Sequence, residues 1–213
     1  MKALKFVLSG ETAFFKMPEV NSICYFTYSC IHKVALLGIF GAIMGYEGYR
    51  SQGKKKYPEF YEKLSEVEIS IVPASNSSII KKMNPFVVSK KIQAFNNSVG
   101  YASQEMGGNL IVKQQWLEHP RWEIYLMLKS ELEEKIADHI MNHRCIYIPY
   151  LGSNDHPATL SDCEIIDISE QHEYKGIHSL YMRKFEHFDK SVDEDDEEDE
   201  DEDRIFRYSE YLP

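Results

Sequence analysis

The run WEIYLMLKSELEEKIADHIMNH, residues 122–143, holds the pattern on which the fold turns. Trp122–Leu128 reads as a strand. Ser130 and Glu133 then form an S-x-x-E capping box, which starts a helix. Leu132, Ile136 and Ile140 recur on one face of that helix, and it is expected to end near His143. A strand feeding a capped helix is half of an αβ sandwich, so the rest of the chain is searched for the other half.

Upstream, Glu66–Val72 sets Val67, Ile69 and Ile71 against polar neighbours, the mark of a half-exposed strand that Pro73 ends. Pro58–Ser65 reads as a short helix and Gly53–Lys56 as a basic turn. Ile31–Gly45 is apolar all round, which belongs to a helix buried on most faces, with Ser29 as its expected cap. Gly38, Gly41 and Gly45 each cost such a helix about 1 kcal/mol relative to Ala, which predicts close approach by another backbone. Ala3–Ser9 is a first strand, closed by Gly10. Downstream, Cys145–Ile148 reads as a strand stopped by Pro149. Tyr150–Ser161 reads as a polar loop, Cys163–Ile168 as a further strand, and His178–Phe185 as weaker strand.

The order is β-α-β, a long insertion, then β-α-β. That predicts an α+β, ferredoxin-like or RRM-like βαββαβ domain, from residues 1–73 and 122–185. The insertion, 74–121, carries the strand-like runs Ile92–Val99 and Asn109–Leu117 around a Gly-rich stretch, and is expected to be a β-hairpin. Residues 190–204 are expected to be an acidic disordered loop, and 205–213 a short C-terminal β extension.

The net charge of −10 is concentrated rather than spread. Asp193–Asp203 are eleven consecutive acids; without them 23 acids face 24 bases, a net of +1. Such a block repels itself and buries nothing. Cys24, Cys30, Cys145 and Cys163 form no metal-binding spacing, and reduced cytosolic thiols are expected. The apolar stretch Val34–Met44 is too short to span a bilayer, and Met1–Gly10 reads as a strand rather than a leader. A cytoplasmic protein with no membrane contact is expected. No Walker loop, GxSxG elbow or HExxH pair is present, and no metal or cofactor is expected. His139 and His143 read as a structural pair at a helix end.

Three stretches carry groups suited to phosphates or unpaired bases, and they are the RNA-binding candidates under the resemblance described below. Ser29, His32 and Lys33 stand at the expected positive end of the glycine helix, where phosphate is favoured. Between Asn76 and Gln115, Lys81, Lys82, Lys90, Lys91 and Lys113 face one acid, Glu105. That positive segment suits phosphates, with Asn96, Asn97 and Ser98 as hydrogen-bonding groups. Phe86, Phe95 and Tyr101 are rings for unpaired bases; Phe95 is expected in the core and Tyr101 as the stacking residue. Gly152, Ser153, Asn154 and His156 form a glycine loop whose N–H groups suit a phosphate. The aromatic excess of Phe14–Tyr28 suggests an exposed partner surface.

The run FVLSGETAFFKMPEVNSICYFTYSCIHKVALLGIFGAIMGYE, residues 6–47, resembles the start of the Cas-five family, RAMP-superfamily subunits of type I CRISPR effector complexes (Cascade). Leu36, Leu37, Gly38, Gly41, Ala42 and Gly45 match its LLG-x-x-GA-x-x-G helix. KQQWLEHPRWEIYLML from Lys113, IPYLGSNDH from Ile148, and the terminal YSEYLP are similar to further blocks, and Asn96–Leu117 is most like the type I-B branch. The acidic tract departs from the family pattern. The resemblance implies a non-catalytic subunit that holds the 5′ handle of the CRISPR RNA in antiviral DNA interference. It implies a hairpin thumb over the RNA and, as partners in a hetero-oligomeric complex, a backbone (Cas-seven type) and a large (Cas-eight type) subunit. The alternative is a metal-independent endoribonuclease processing the precursor RNA, as in the type I-C branch, with Tyr46, His156 and a thumb lysine. A ferredoxin-like ligand-binding domain explains the acidity but not the basic insertion.

Overall fold

A computed structural model of the chain describes residues 1–18, 24–74, 89–96, 104, 106, 111–170 and 179–180. The capping box is present as read. The Ser130 hydroxyl accepts from the Leu132 N–H, and the Glu133 carboxylate accepts from the Ser130 N–H at 2.8 Å, opening α3 (Glu131–Met141). The strand before it is β6 (Arg121–Met127), whose Trp122, Ile124 and Leu126 alternate inward and are fully buried.

Among the described residues the main sheet has four strands. β6 pairs antiparallel with β1 (Lys2–Ser9), and β1 with β7 (Thr159–Asp167). On its other side β6 pairs antiparallel with β3 (Ile69–Pro73). The spatial order is β3-β6-β1-β7. With α1 (Lys33–Met44) after β1 and α3 after β6, this is the ferredoxin-like arrangement. The helices share one face. Leu4, Phe6 and Leu8 of β1 and the inward residues of β6 pack with Leu36, Leu37, Phe40 and Ile43 of α1 and Ile136 and Ile140 of α3.

The glycines of α1 divide. A Cβ on Gly41 would lie 2.6 Å from the Phe60 Cβ of α2 (Glu59–Leu64), so Gly41 is the point where the two helices close on each other. Gly38 has open space around it. Gly45 ends the helix in the left-handed region at φ 76°.

Two expected elements differ. Cys145–Ile148 is not a strand. Its Ile146 N–H donates to the Ile43 carbonyl at 3.1 Å and its Tyr147 N–H to the Ala42 carbonyl at 2.9 Å. These bonds satisfy the orphan carbonyls at the end of α1 instead of a strand ladder. The fourth core strand is β7, which begins at Thr159, inside the expected loop. β7 is an edge strand whose register with β1 shifts between Lys5 and Val7, and Asp162 there has φ 52°. Its second half is the strand expected at Cys163–Ile168; an edge strand needs no apolar run, and only its polar start, Thr159–Asp162, falls outside that expected strand.

The chain between β3 and β6 contributes a second antiparallel sheet, β4 (Lys90–Asn96) on β5 (Ile111–Glu118), with β5 also paired to β2 (Thr12–Ala13). The segment before α1 is tied to this sheet: the Tyr25 N–H donates to the Lys113 carbonyl, and the Gln115 N–H to the Tyr25 carbonyl. Phe14 and Phe15, expected on an exposed aromatic patch, are buried, Phe15 edge-on to Trp122 at 6.0 Å. Beyond β7, Ser179 and Leu180 lie on the outer edge of β3, where the Leu180 N–H donates to the Ile71 carbonyl at 3.0 Å. No helix among the described residues is long and apolar enough to cross a membrane. The expected C-terminal β extension and acidic loop lie outside the described residues.

Candidate nucleic-acid interface

Opposed residues of an antiparallel pair share a face, and neighbours along a strand alternate. The register of β4 on β5 therefore sorts the hairpin side chains. Lys90, Ile92, Ala94 and Asn96 share one face with Leu117, Gln115, Lys113 and Ile111. Lys91, Gln93 and Phe95 share the other with Trp116, Gln114 and Val112. The adjacent lysines 90 and 91 thus belong to different surfaces.

The first face meets the start of α1. The Lys90 amine donates to the Ser29 hydroxyl at 2.9 Å, and partial burial there lowers its pKa. Lys113 stands farther out on the same face, exposed. Ser29 is not the helix cap as expected. His32 is, its Nδ1 accepting from the Ala35 N–H at 3.3 Å. The His32 ring is wedged edge-on between Phe15 and Tyr28, and burial lowers its pKa. It is therefore a neutral cap rather than a cationic phosphate ligand. The first turn of α1 carries no acid, so its positive end is not neutralised from within the helix. The Lys33 amine turns to the Ser65 carbonyl at 2.8 Å, toward the turn after α2. Between them, Cys30 is half-buried, and desolvation pushes its thiol up to about 12, which makes it a poor nucleophile.

The second face is where His156 sits. His156 is 1% exposed, a core residue and not the loop donor expected. Its Nδ1 is 2.6 Å from the Thr12 hydroxyl, its ring stands edge-on to Trp116 at 4.7 Å, and its Nε2 is buried without a hydrogen-bond partner among the described residues. Burial, with a smaller push from Lys91, lowers its pKa. Lys91 lies over the Trp116 ring at 5.9 Å and 3.9 Å from the Glu118 carboxylate. Phe95, expected in the core, is 36% exposed on this face.

The glycine loop is folded against the body. The Phe14 N–H donates to the Leu151 carbonyl at 3.0 Å, and a Cβ on Gly152 would lie 1.8 Å from the Phe14 carbonyl oxygen, at φ 93°. Gly152 is there for that close approach. The loop closes on itself, with the Leu151 N–H on the His156 carbonyl and the His156 N–H on the Ser153 carbonyl. Asn154 is exposed and Ser153 half-buried. Lys81, Lys82, Asn97, Phe86 and Tyr101 lie outside the described residues.

The open face of the main sheet, where an RRM stacks bases on aromatics, is occupied by charge. Lys5 pairs with Glu164 at 3.0 Å, Arg121 with Asp162 at 3.4 Å, and the Tyr125 hydroxyl donates to Glu123 at 3.0 Å. Three acids against two cations make it a poor surface for phosphate. The hairpin face with Ser29, Lys90 and Lys113 is the better one. Tyr46 lies at the opposite end of α1 from Ser29, with the Lys63 amine 4.2 Å from its ring centre. No hydrogen bond, ion pair or ring contact joins it to His156.

No protein-family model matches the sequence, and no curated protein matches it. Among solved structures it is similar to a chain of a CRISPR RNA-guided surveillance complex, with a TM-score of 0.48 and 13% identity over 71% of this chain and 58% of that one. It is similar to a Cas protein with a TM-score of 0.42 and 14% identity, over 71% of this chain and 57% of that one. A CRISPR protein from Archaeoglobus fulgidus aligns with a TM-score of 0.33 and 14% identity, over 78% and 65%. The chain spans less than two thirds of the length of each of these three.

Proposed function

We propose that this chain is a non-catalytic, RNA-binding subunit of a CRISPR interference complex. It holds the 5′ handle of the guide RNA and anchors the backbone and large subunits in the cytoplasm. The observation that carries the reading is the Lys90–Ser29 contact. It joins the basic hairpin to the approach to α1, so that Lys90, Lys113, Asn96 and the acid-free first turn of α1 border one surface. Phosphates are drawn to such a surface by charge, and by the N–H groups of the helix start. The motif resemblance supplies the identity of the RNA, and the hairpin takes the part of the thumb.

The test is affinity for a guide RNA with its repeat-derived 5′ handle, against the same RNA with that handle scrambled, at fixed salt. A preference of at least about tenfold for the intact handle is expected, with the RNA recovered uncut. Equal affinity refutes handle recognition, and a discrete cleavage product in EDTA refutes the non-catalytic assignment.

A further inference from the structure

We infer that the ordered loop Tyr49–Tyr57 is a second nucleic-acid contact, one that takes the phosphates and unpaired bases of an extended single strand. The segment YRSQGKKKY sits just beyond the end of α1, whereas Ser29 and the hairpin face sit before its start. The inference does not depend on the reading of the hairpin.

Four cations, Arg50, Lys54, Lys55 and Lys56, fall within seven residues of a chain whose net charge is −10. All four are exposed. Lys55 faces Glu62 at 3.9 Å, a loose pair; Arg50, Lys54 and Lys56 have no carboxylate partner among the described residues. Three exposed cations within seven residues, without a carboxylate partner among the described residues, raise the local potential and attract a polyanion.

The loop is also held in shape, which lowers the ordering cost of binding. A 3₁₀ turn spans Tyr49–Ser51, and the Ser51 hydroxyl donates to the Glu47 carboxylate at 2.7 Å. The Gln52 amide then donates to the Lys55 and Lys56 carbonyls at 2.7 and 2.9 Å, tying the lysine backbone inward and leaving the amines outward. Two rings flank the cations. Tyr49 is 66% exposed and braced edge-on against Phe60 at 5.7 Å; Tyr57 is 42% exposed and braced on Tyr61 at 5.1 Å. The Lys56 amine lies 5.1 Å from the centre of the Tyr57 ring. Braced, exposed rings on either side of the cations suit stacking on unpaired bases, which a duplex does not offer. RNA and single-stranded DNA share this chemistry.

The test uses the full chain and anisotropy of a labelled oligouridine, the matching oligodeoxythymidine, and a duplex, each over a salt series. The variant Arg50→Gln/Lys54→Gln/Lys56→Gln removes three candidate phosphate contacts. It is expected to lower single-strand affinity at least about tenfold and to reduce the salt slope by about 2, from about 0.7 per contact. The variant Tyr49→Leu/Tyr57→Leu is expected to weaken single-strand binding and leave the salt slope unchanged. If the triple variant is unstable, Lys54→Glu alone gives the same reading, since the Lys54 side chain bonds nothing among the described residues. The ratio of uridine to thymidine affinity says which single strand the loop prefers. Unchanged affinity and slope overturn the inference. So does tighter binding of duplex than of either single strand. A salt-dependent loss of melting temperature in the triple variant with oligonucleotide binding intact also overturns it, in favour of an acidic protein segment as occupant. If Lys90→Gln/Lys113→Gln abolishes all binding while the loop variants bind normally, the loop inference fails and the hairpin reading stands. The reverse pattern fails the hairpin and keeps the loop.

Discussion

Replacing Lys90 and Lys113 together by Gln, against Lys91→Gln alone, separates the two faces of the hairpin by charge. Lys90 and Lys113 share the face that meets Ser29; Lys91 faces Trp116 and Glu118 on the other. For a single-stranded RNA each phosphate contact contributes about 0.7 to the slope of log affinity against log salt. At about 0.1 M salt one contact is then worth about fivefold relative to a molar reference, and two about 25-fold. The double variant is therefore expected to bind guide RNA about 25-fold more weakly at that salt, with a slope lower by about 1.4. Lys91→Gln is expected to leave the slope unchanged. Gln keeps much of each stem and removes only the charge, and Lys90 and Lys113 are exposed, so melting temperatures should stay close to that of the parent. Ser29→Ala serves as a control. It removes the hydroxyl that positions the Lys90 amine and leaves every charge in place, so it should lower affinity with no change of slope. Filter binding over a salt series reads all four proteins. A loss from Lys91→Gln equal to that of the double variant, or a double variant with an unaltered slope, refutes the assignment of the RNA to the Ser29 face.

Acid should destabilise the fold through His32 and His156. Burial lowers both folded pKa values below the ordinary 6.5, so below that pH the unfolded chain binds more protons and stability falls as pH drops. The denaturant midpoint is expected to fall between about pH 7.5 and 5.5, and to fall less in His32→Asn, which keeps a capping side chain but does not titrate. A midpoint flat with pH in the parent contradicts this. The glycines of α1 should answer oppositely to Ala. Gly38→Ala meets nothing within 4 Å and should stabilise by about 1 kcal/mol. Gly41→Ala drives a methyl to 2.6 Å from the Phe60 Cβ, and overpacking of about 1–3 kcal/mol should outweigh the same propensity gain. Thermal melts of both variants check the pair, and a stabilised Gly41→Ala places α2 farther from α1 than described.

The sandwich was legible because its signals are local. The capping box at Ser130 and Glu133 works through bonds three residues apart, and the apolar period of Val67, Ile69 and Ile71 is local to β3 and the residues just before it. Lys90 and Lys91, grouped in the sequence as one positive segment, stand on opposite faces of β4, a division that strand alternation carries but the grouping overlooked. The candidate site was less legible, because its partners are remote in sequence. Ser29 and Lys90 are 61 residues apart and Thr12 and His156 144 apart, and only such contacts reveal one side chain as a surface group and the other as core. Lys54, Lys55 and Lys56 were visible as the basic turn Gly53–Lys56; Arg50 and the flanking rings lie outside that turn, and the lack of carboxylate partners for Arg50, Lys54 and Lys56 among the described residues was not visible.

The order of elements, and with it the ferredoxin-like class, was determined by the sequence, since hydrophobic period and capping act within a few residues. Tertiary structure decided which ends were satisfied and which faces were left open. CIYIPY is apolar enough for a strand, yet the unpaired carbonyls of α1 claim Ile146 and Tyr147, and the polar start of β7 takes the edge position instead. A short apolar run does not carry the identity of its hydrogen-bond partner; that depends on which unsatisfied backbone groups the packed body brings beside it.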